Sequence, residues 1–382
     1  MKITDVRILR LALPTDTWEM VAIETDNHIT GWGEVSDSFL VGGLVHVLET
    51  AKSLLVGKNP LEMISCMQPF RAWRYPVLDD VRPYAVAVSG IDQALWDITA
   101  KHYGVPLYKL YGADGVVSVP LYANLNKGLR RERKPEVLAE RACEARKAGF
   151  KMVKCTPFDE VTRDKADVDL DPAFARLHAI GTAVPFDSVA IDCHQRFDRQ
   201  RLGVMVRRMM DAFGAPYWLE DPVPVIDYDA VAQIANKYPE IRWAAGEDSM
   251  GLSQILRTMQ SKQYEILMPD VKFIGGPSAI KGLIPVAVAS GNRVTMHNPS
   301  GIIATAHSAH LTALCGDGIP MEFPFAAVPE RGQLLSLPEH IEHGSYVFSD
   351  KPGIGVEIAP EAWKEFGYRY GKGEWLRLDG GC

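Results

Sequence analysis

No segment of this chain approaches the roughly 18 uninterrupted apolar residues that a membrane-spanning helix requires, although apolar residues fill 47% of its 382 positions. That pattern excludes a membrane role while leaving ample material for a large core. No stripe of Lys and Arg stands out, and the net charge is a modest −7. The electrostatic footprint of a nucleic-acid binder is therefore missing. The six cysteines (Cys66, Cys143, Cys155, Cys193, Cys315 and Cys382) lie without paired spacing. Reduced thiols in a cytosol fit this better than a disulfide framework. The opening Met1-Lys2-Ile3-Thr4 reads as a strand without a charged-then-apolar leader, which predicts a cytoplasmic protein.

What is present falls into three zones. Residues 1–117 begin with alternating strand patterns at Ile3 to Leu11, Met20 to Thr25 and His28 to Glu34. They then turn helical, with Ala85, Val88, Ile91, Leu95 and Ile98 at the spacing of a buried helix face. This predicts an α+β domain. Residues 118–325 repeat short apolar strands (Val119–Asn124, Met152–Thr156, Val189–His194, Tyr217–Glu220, Arg242–Glu247, Ile266–Asp270, Arg293–His297, Pro320–Phe323) interleaved with amphipathic helices. That order and size predict a (β/α)8 TIM-type barrel, whose active site is built after the strands. Residues 326–382 return to loop-rich sequence, expected to fold back on the first domain.

On such a barrel a set of polar residues shares one rim. Lys154, Asp192, His194, Glu220, Glu247, Asp270, His297 and Glu322 all stand at predicted strand ends, where catalytic groups gather. Strand alternation sends His194 the same way as Asp192 and Thr156 the same way as Lys154, while Cys193 and Cys155 face the helices. A lone strand-end acid is usually a cap or a solvated turn residue. Three on neighbouring strands, Asp192, Glu220 and Glu247, can converge on one cation, and their hard oxygens suit Mg²⁺ better than Zn²⁺. Mg²⁺ there can stabilise the charge that develops when a carboxylate substrate loses its α-proton. Asp270 can orient His297 and raise its basicity. His194 can give a proton to a departing hydroxyl, Lys154 offers positive charge to the substrate carboxylate and Glu322 a hydrogen bond. Loss of an α-proton and then a β-hydroxyl is a dehydration. His307 and His310, three apart on an outer helix, read as packing or surface residues.

The order Lys, Asp, Glu, Glu, Asp, His, Glu on successive strands resembles the enolase superfamily, in its mandelate racemase branch. The likeness extends to Ser89-Gly90-Ile91-Asp92-Gln93-Ala94-Leu95-Trp96-Asp97 with Gly104-Val105-Pro106-Leu107, and to Lys351-Pro352-Gly353-Ile354-Gly355-Val356-Glu357. The resemblance implies a modified (α/β)7β barrel, a capping domain made from both chain ends, and Mg²⁺ on Asp192, Glu220 and Glu247. Racemases of this branch carry Lys-x-Lys on the second strand, its second Lys a base; here the motif is Lys154-Cys155-Thr156. A threonine cannot serve as that base. A histidine two places after the first ligand, His194 after Asp192, is similar to the galactonate dehydratases of the branch.

The resulting expectation is an Mg²⁺-dependent dehydratase of a sugar acid, aldonate or aldarate. Its base would be His297 with Asp270, its acid His194, its partner a small-molecule acid sugar and its state a homo-oligomer between dimer and octamer. A racemase or epimerase using the same enolate is the alternative, and a metal-independent glycosidase with two acids a more distant one. Capping loops imply specificity elements in Pro14 to Glu19, Ser36 to Gly43 and Trp73-Arg74-Tyr75. Thr156, Trp18, Arg74 and Tyr75 are the candidate substrate contacts.

Overall fold

The computed structural model describes residues 1–37, 41–70, 81–129, 133–162, 169–224, 227–316 and 318–378. β1 (Ile3–Ala12), β2 (Thr17–Thr25) and β3 (Thr30–Glu34) form an antiparallel meander. Alternation along these strands gathers Val6, Ile8, Val21 and Ile23 into a core shared with helices α1 (Val41–Leu55) and α2 (Arg82–His102). α2 approaches the sheet backbone to backbone. A Cβ on Gly33 would lie 2.0 Å from the Gly90 carbonyl oxygen, and one on Gly90 would meet Val35 at 2.2 Å. Only glycine allows this contact.

From residue 118 the predicted alternation holds. β4 (Ser118–Asn124), β5 (Val153–Cys155), β6 (Val189–Asp192), β7 (Trp218–Glu220), β8 (Trp243–Ala245), β9 (Ile266–Leu267) and β10 (Arg293–Val294) pair in parallel in chain order. β11 (Met321–Phe323) pairs back on β4, and Glu322 N donates to Met296 O at 3.2 Å across the remaining seam. The sheet thus closes. The helices between the strands are α3 (Pro135–Lys147), α4 (Asp171–Gly181), α5 (Arg199–Phe213), α6 (Asp229–Lys237), α7 (Leu252–Gln260), α8 (Gly276–Ala289) and α9 (Ile302–Thr312). The result is an (α/β)7β barrel. α5 shows why these segments are helical: Asp198 caps it by accepting from Arg201 N at 2.9 Å, and Leu202, Met205, Val206 and Met209 form one buried stripe.

Tyr122, Met152, Ala190, Trp218, Ala244, Ile266, Met268 and Ile319 fill the barrel, while Cys155 and Cys193 belong to the layer between strands and helices. The segment after residue 326 divides. A hairpin, His340–Glu342 with Ser345–Val347, adds to β4, whereas β12 (Gly367–Gly371) and β13 (Glu374–Arg377) extend the first sheet alongside β1. No helix among the described residues is long and apolar enough to cross a membrane.

Two buried carboxylates of the first domain cap barrel helices. Asp92 accepts from Ser278 N (2.8 Å) and Ser278 Oγ (2.7 Å) at the start of α8. Glu34 accepts from Gly301 N (2.8 Å) and Ala304 N (2.9 Å) at the start of α9. Each satisfies amides that have no intrahelical partner and meets the positive end of the helix dipole. The loop between His297 and α9 is thereby tied to the capping sheet.

Candidate active site

The site begins where the barrel strands stop. Asp192 and Glu220 are in register on β6 and β7, and Lys154 from β5 sits between their carboxylates. Its Nζ is 2.8 Å from Glu220 Oε1, 3.2 Å from Glu322 Oε1 and 3.4 Å from Asp192 Oδ2. Burial alone would discharge this ammonium. Glu220 and Glu322 outweigh that cost and hold its pKa well above the usual lysine value. Burial raises the Glu220 carboxyl well above its ordinary value. Glu220 spends Oε1 on Lys154 and takes the Trp218 indole N–H at Oε2, 3.2 Å. Glu322 is likewise committed, accepting from Asn124 Nδ2 at 2.5 Å and from Asn298 N at 2.9 Å.

His194 reaches the site differently from the strand alternation expected for it. β6 ends at Asp192, and His194 and Gln195 follow in left-handed conformation, φ 47° and 55°, a costly arrangement for non-glycine residues and one that clusters at functional sites. The turn places His194 Nε2 2.9 Å from Asp192 Oδ2. Asp192 chiefly raises the imidazole pKa, to about 9, which favours the protonated ring that a general acid needs. Glu247 also lies past its strand, delivered by Gly246 at φ 118°, a backbone only glycine adopts readily.

His297 stands between two carboxylates, Nδ1 3.0 Å from Asp270 Oδ2 and Nε2 3.1 Å from Glu247 Oε2. Burial works against its charged form, but Glu247 and Glu322, with the Asp270 bond, carry its pKa well above the imidazole value. Asp270 is held in turn by Lys272, whose backbone N donates to Oδ1 at 2.8 Å. Its pKa is lowered although burial opposes this, with the Lys272 charge the largest favourable influence.

Asp192, His194 and Glu247 each place a ligand atom within 4.8 Å of the others. The approach of His297 to Glu247 Oε2 misses hydrogen-bonding geometry, so this buried oxygen has no donor. A buried acceptor without a donor, beside more carboxylates than Lys154 alone can neutralise, fits a metal ion. Glu220, expected as a ligand, lies next to this group with its oxygens turned to Lys154 and Trp218.

A cavity of about 700 Å³ opens over these groups, lined among others by Lys154, Thr156, Asp192, His194, His297 and Glu322. Its far wall comes from the capping domain: Arg10, Pro14, Asp16, Thr17, Glu19 and Asp37. The expected Pro14 to Glu19 stretch is therefore at the site, but Trp18 is not. On β2, Thr17 and Glu19 face the cavity and Trp18, between them, faces the core at 2% exposure, its indole N–H on Asp16 Oδ2 at 3.2 Å. Arg74 and Tyr75 lie outside the described residues, as does Trp73 and residues 38–40 of the second expected loop. Arg10 was missed by the sequence reading. It pairs with Glu19 across the β1–β2 ladder, and period-two alternation with an antiparallel register would have found it. His307 and His310 are packing residues, fully buried.

Strands, capping sheet and rim together define an enolase-like capped barrel. The chain belongs to the mandelate racemase and muconate lactonizing enzyme family of the enolase superfamily: residues 4–112 match the mandelate racemase / muconate lactonizing enzyme N-terminal domain, and residues 137–362 the enolase C-terminal domain-like family. It is 28% identical to a D-galactonate dehydratase of Pectobacterium atrosepticum, covering 94% of this chain and 93% of that one. Identity to a D-xylonate dehydratase of Haloferax volcanii is 26%, over 90% and 84% of the two chains. A solved structure, a member of the enolase superfamily from Salmonella Typhimurium, superposes with a TM-score of 0.83 at 24% identity, over 97% of this chain and all of the other.

Proposed function

We propose that this chain is an Mg²⁺-dependent dehydratase that converts a sugar acid to the 2-keto-3-deoxy acid. One observation carries the reading: two histidines with different carboxylate partners, His297 backed by Asp270 and His194 held by Asp192, line one cavity with carboxylates suited to a cation. The relatives named as dehydratases of galactonate and xylonate support it.

Asp270 fixes the proton of His297 on Nδ1 and leaves Nε2 to take the proton α to the substrate carboxylate. Lys154, placed by Glu220 and Glu322, presents positive charge to that carboxylate. The electron pair left at C2 expels the 3-hydroxyl, which departs as water with the proton from His194 Nε2, and the resulting enol tautomerises to the 2-keto acid. Mg²⁺ held by Asp192 and Glu247, with Glu220 completing the set once one of its oxygens turns from Lys154 or Trp218, would supply the Lewis acidity that favours charge on the substrate carboxylate and would take up Glu247 charge that otherwise keeps His297 protonated. Thr156, where a racemase has its second base, argues against the alternative of proton return on the opposite face.

Screening purified protein with Mg²⁺ against sugar acids for 2-keto acid tests the proposal. Solvent deuterium entering C2 of recovered substrate without keto product would replace it by an epimerase.

A further inference from the structure

The two ends of the cavity differ in how their charges are spent. At the barrel end Lys154, His194 and His297 face substrate. At the capping end the wall carries Arg10, Asp16, Glu19, Asp37, Lys127 and Arg133, and each basic group among these described residues already pairs with an acid, although the buried Arg133 Nε has no hydrogen-bond partner. Arg10 directs both Nε and Nη2 to Glu19 Oε1, at 3.0 and 2.6 Å, while its guanidinium lies 3.8 Å from the centroid of the Trp375 ring. Lys127 Nζ is 3.3 Å from Asp16 Oδ2, and Arg133 Nη2 is 2.9 Å from Asp159 Oδ1.

The acids are less fully used. Arg10 engages only Oε1 of Glu19, and Arg82 engages only Oδ2 of Asp37, at 2.8 Å. Glu19 Oε2 and Asp37 Oδ1 have no donor among the described residues. Burial raises the Glu19 carboxyl above its usual range and the neighbouring Asp37 adds to this, so the wall already resists further negative charge. Free carboxylate oxygens accept hydroxyl protons and repel another carboxylate. A guanidinium committed to one acid and stacked on an indole is a poor clamp for a second.

We propose that the capping end reads an uncharged polyhydroxyl tail, so that the substrate is a monoacid sugar, an aldonate, with Glu19 and Asp37 the groups that exclude the corresponding diacid. The inference rests on the dehydratase reading and narrows it. Hydroxyls beyond C3 donate to Glu19 Oε2 and Asp37 Oδ1. A terminal carboxylate in the same place would face two acids and, among the described residues, no cation without an acid partner.

The test compares D-galactonate with galactarate and D-gluconate with D-glucarate, using full-length protein and Mg²⁺. At least one aldonate should exceed its aldarate in kcat/KM by about 100-fold or more, because like charges set against each other are strongly disfavoured. Glu19→Gln and Asp37→Asn should each raise the aldarate-to-aldonate ratio by about tenfold; an unchanged ratio in both, with cooperative thermal melts, overturns their role. Equal or better turnover of an aldarate by the unmodified enzyme overturns the inference and leaves the dehydratase reading standing. If neither class yields keto acid or exchanges its C2 hydrogen in D₂O, the dehydratase reading itself fails and the inference falls with it.

Discussion

Asp270 Oδ2 lies 3.0 Å from His297 Nδ1, the two residues just past the ends of adjacent barrel strands, with Lys272 Nζ 3.5 Å from the same oxygen. The acid is thus anchored before it orients the imidazole, which leaves Nε2 as the reactive nitrogen. His297→Asn should abolish both keto-acid formation and C2 exchange in D₂O. Asp270→Asn should lower kcat by about 10²- to 10⁴-fold, the range of a positioned general base. Near-normal exchange in His297→Asn would assign the base elsewhere.

In the proposed mechanism His194 acts after the proton has left C2. His194→Asn should therefore slow elimination strongly while C2 exchange continues, measured by NMR on recovered substrate. Parallel loss of both would move His194 to substrate or metal binding.

Stripping the protein with EDTA should remove activity, and Mg²⁺ should restore it. Because a cation bound only by the folded state stabilises by mass action, Mg²⁺ should also raise the melting temperature, by an amount that grows with its concentration. Glu247→Gln, which removes the buried charge beside the donorless oxygen, should abolish that rise. Full activity in EDTA would favour the metal-independent reading.

Acid should weaken the fold through two histidines outside the site. His310 takes the Tyr108 N–H on Nδ1 and donates from Nε2 to Ile354 O; His307 Nε2 donates to Trp32 O at 2.9 Å. Burial lowers their pKa values to about 3 and about 4. The unfolded chain takes up these protons at about pH 6.5, before the folded one does. Their contribution is therefore whole above that pH and lost as pH falls toward 3 to 4, about 3 kcal/mol for His307 and about 5 kcal/mol for His310 over the full window. Melts at pH 7.5 and pH 5 should show the loss, and His310→Gln should flatten it; equal pH slopes for both proteins would refute the assignment.

Much of the site was legible because strand periodicity and strand-end chemistry are local. Lys154, Asp192, Glu220, Glu247, Asp270, His297 and Glu322 could be placed on one rim without knowing any contact. Alternation failed at His194, where the strand ends early and a left-handed turn takes over. At Trp18 a specificity loop was read as a whole, although its register splits it between cavity and core.

The sequence by itself determined the barrel order and the residue types available for proton transfer, since each follows from periodicity or from strand-end chemistry, and its family resemblance implied the cap at both chain ends. Only the tertiary structure decided that Glu34 would hold the amides of Gly301 and Ala304, 267 and 270 residues away, and that Arg10 would be consumed by Glu19 and Trp375. It also decided that Glu220 would spend its oxygens on Lys154 and Trp218 beside the acids meant for the cation. Charge pairing falls off with distance through space, not along the chain, so whether a carboxylate is free to bind or already spent is fixed only when the barrel closes.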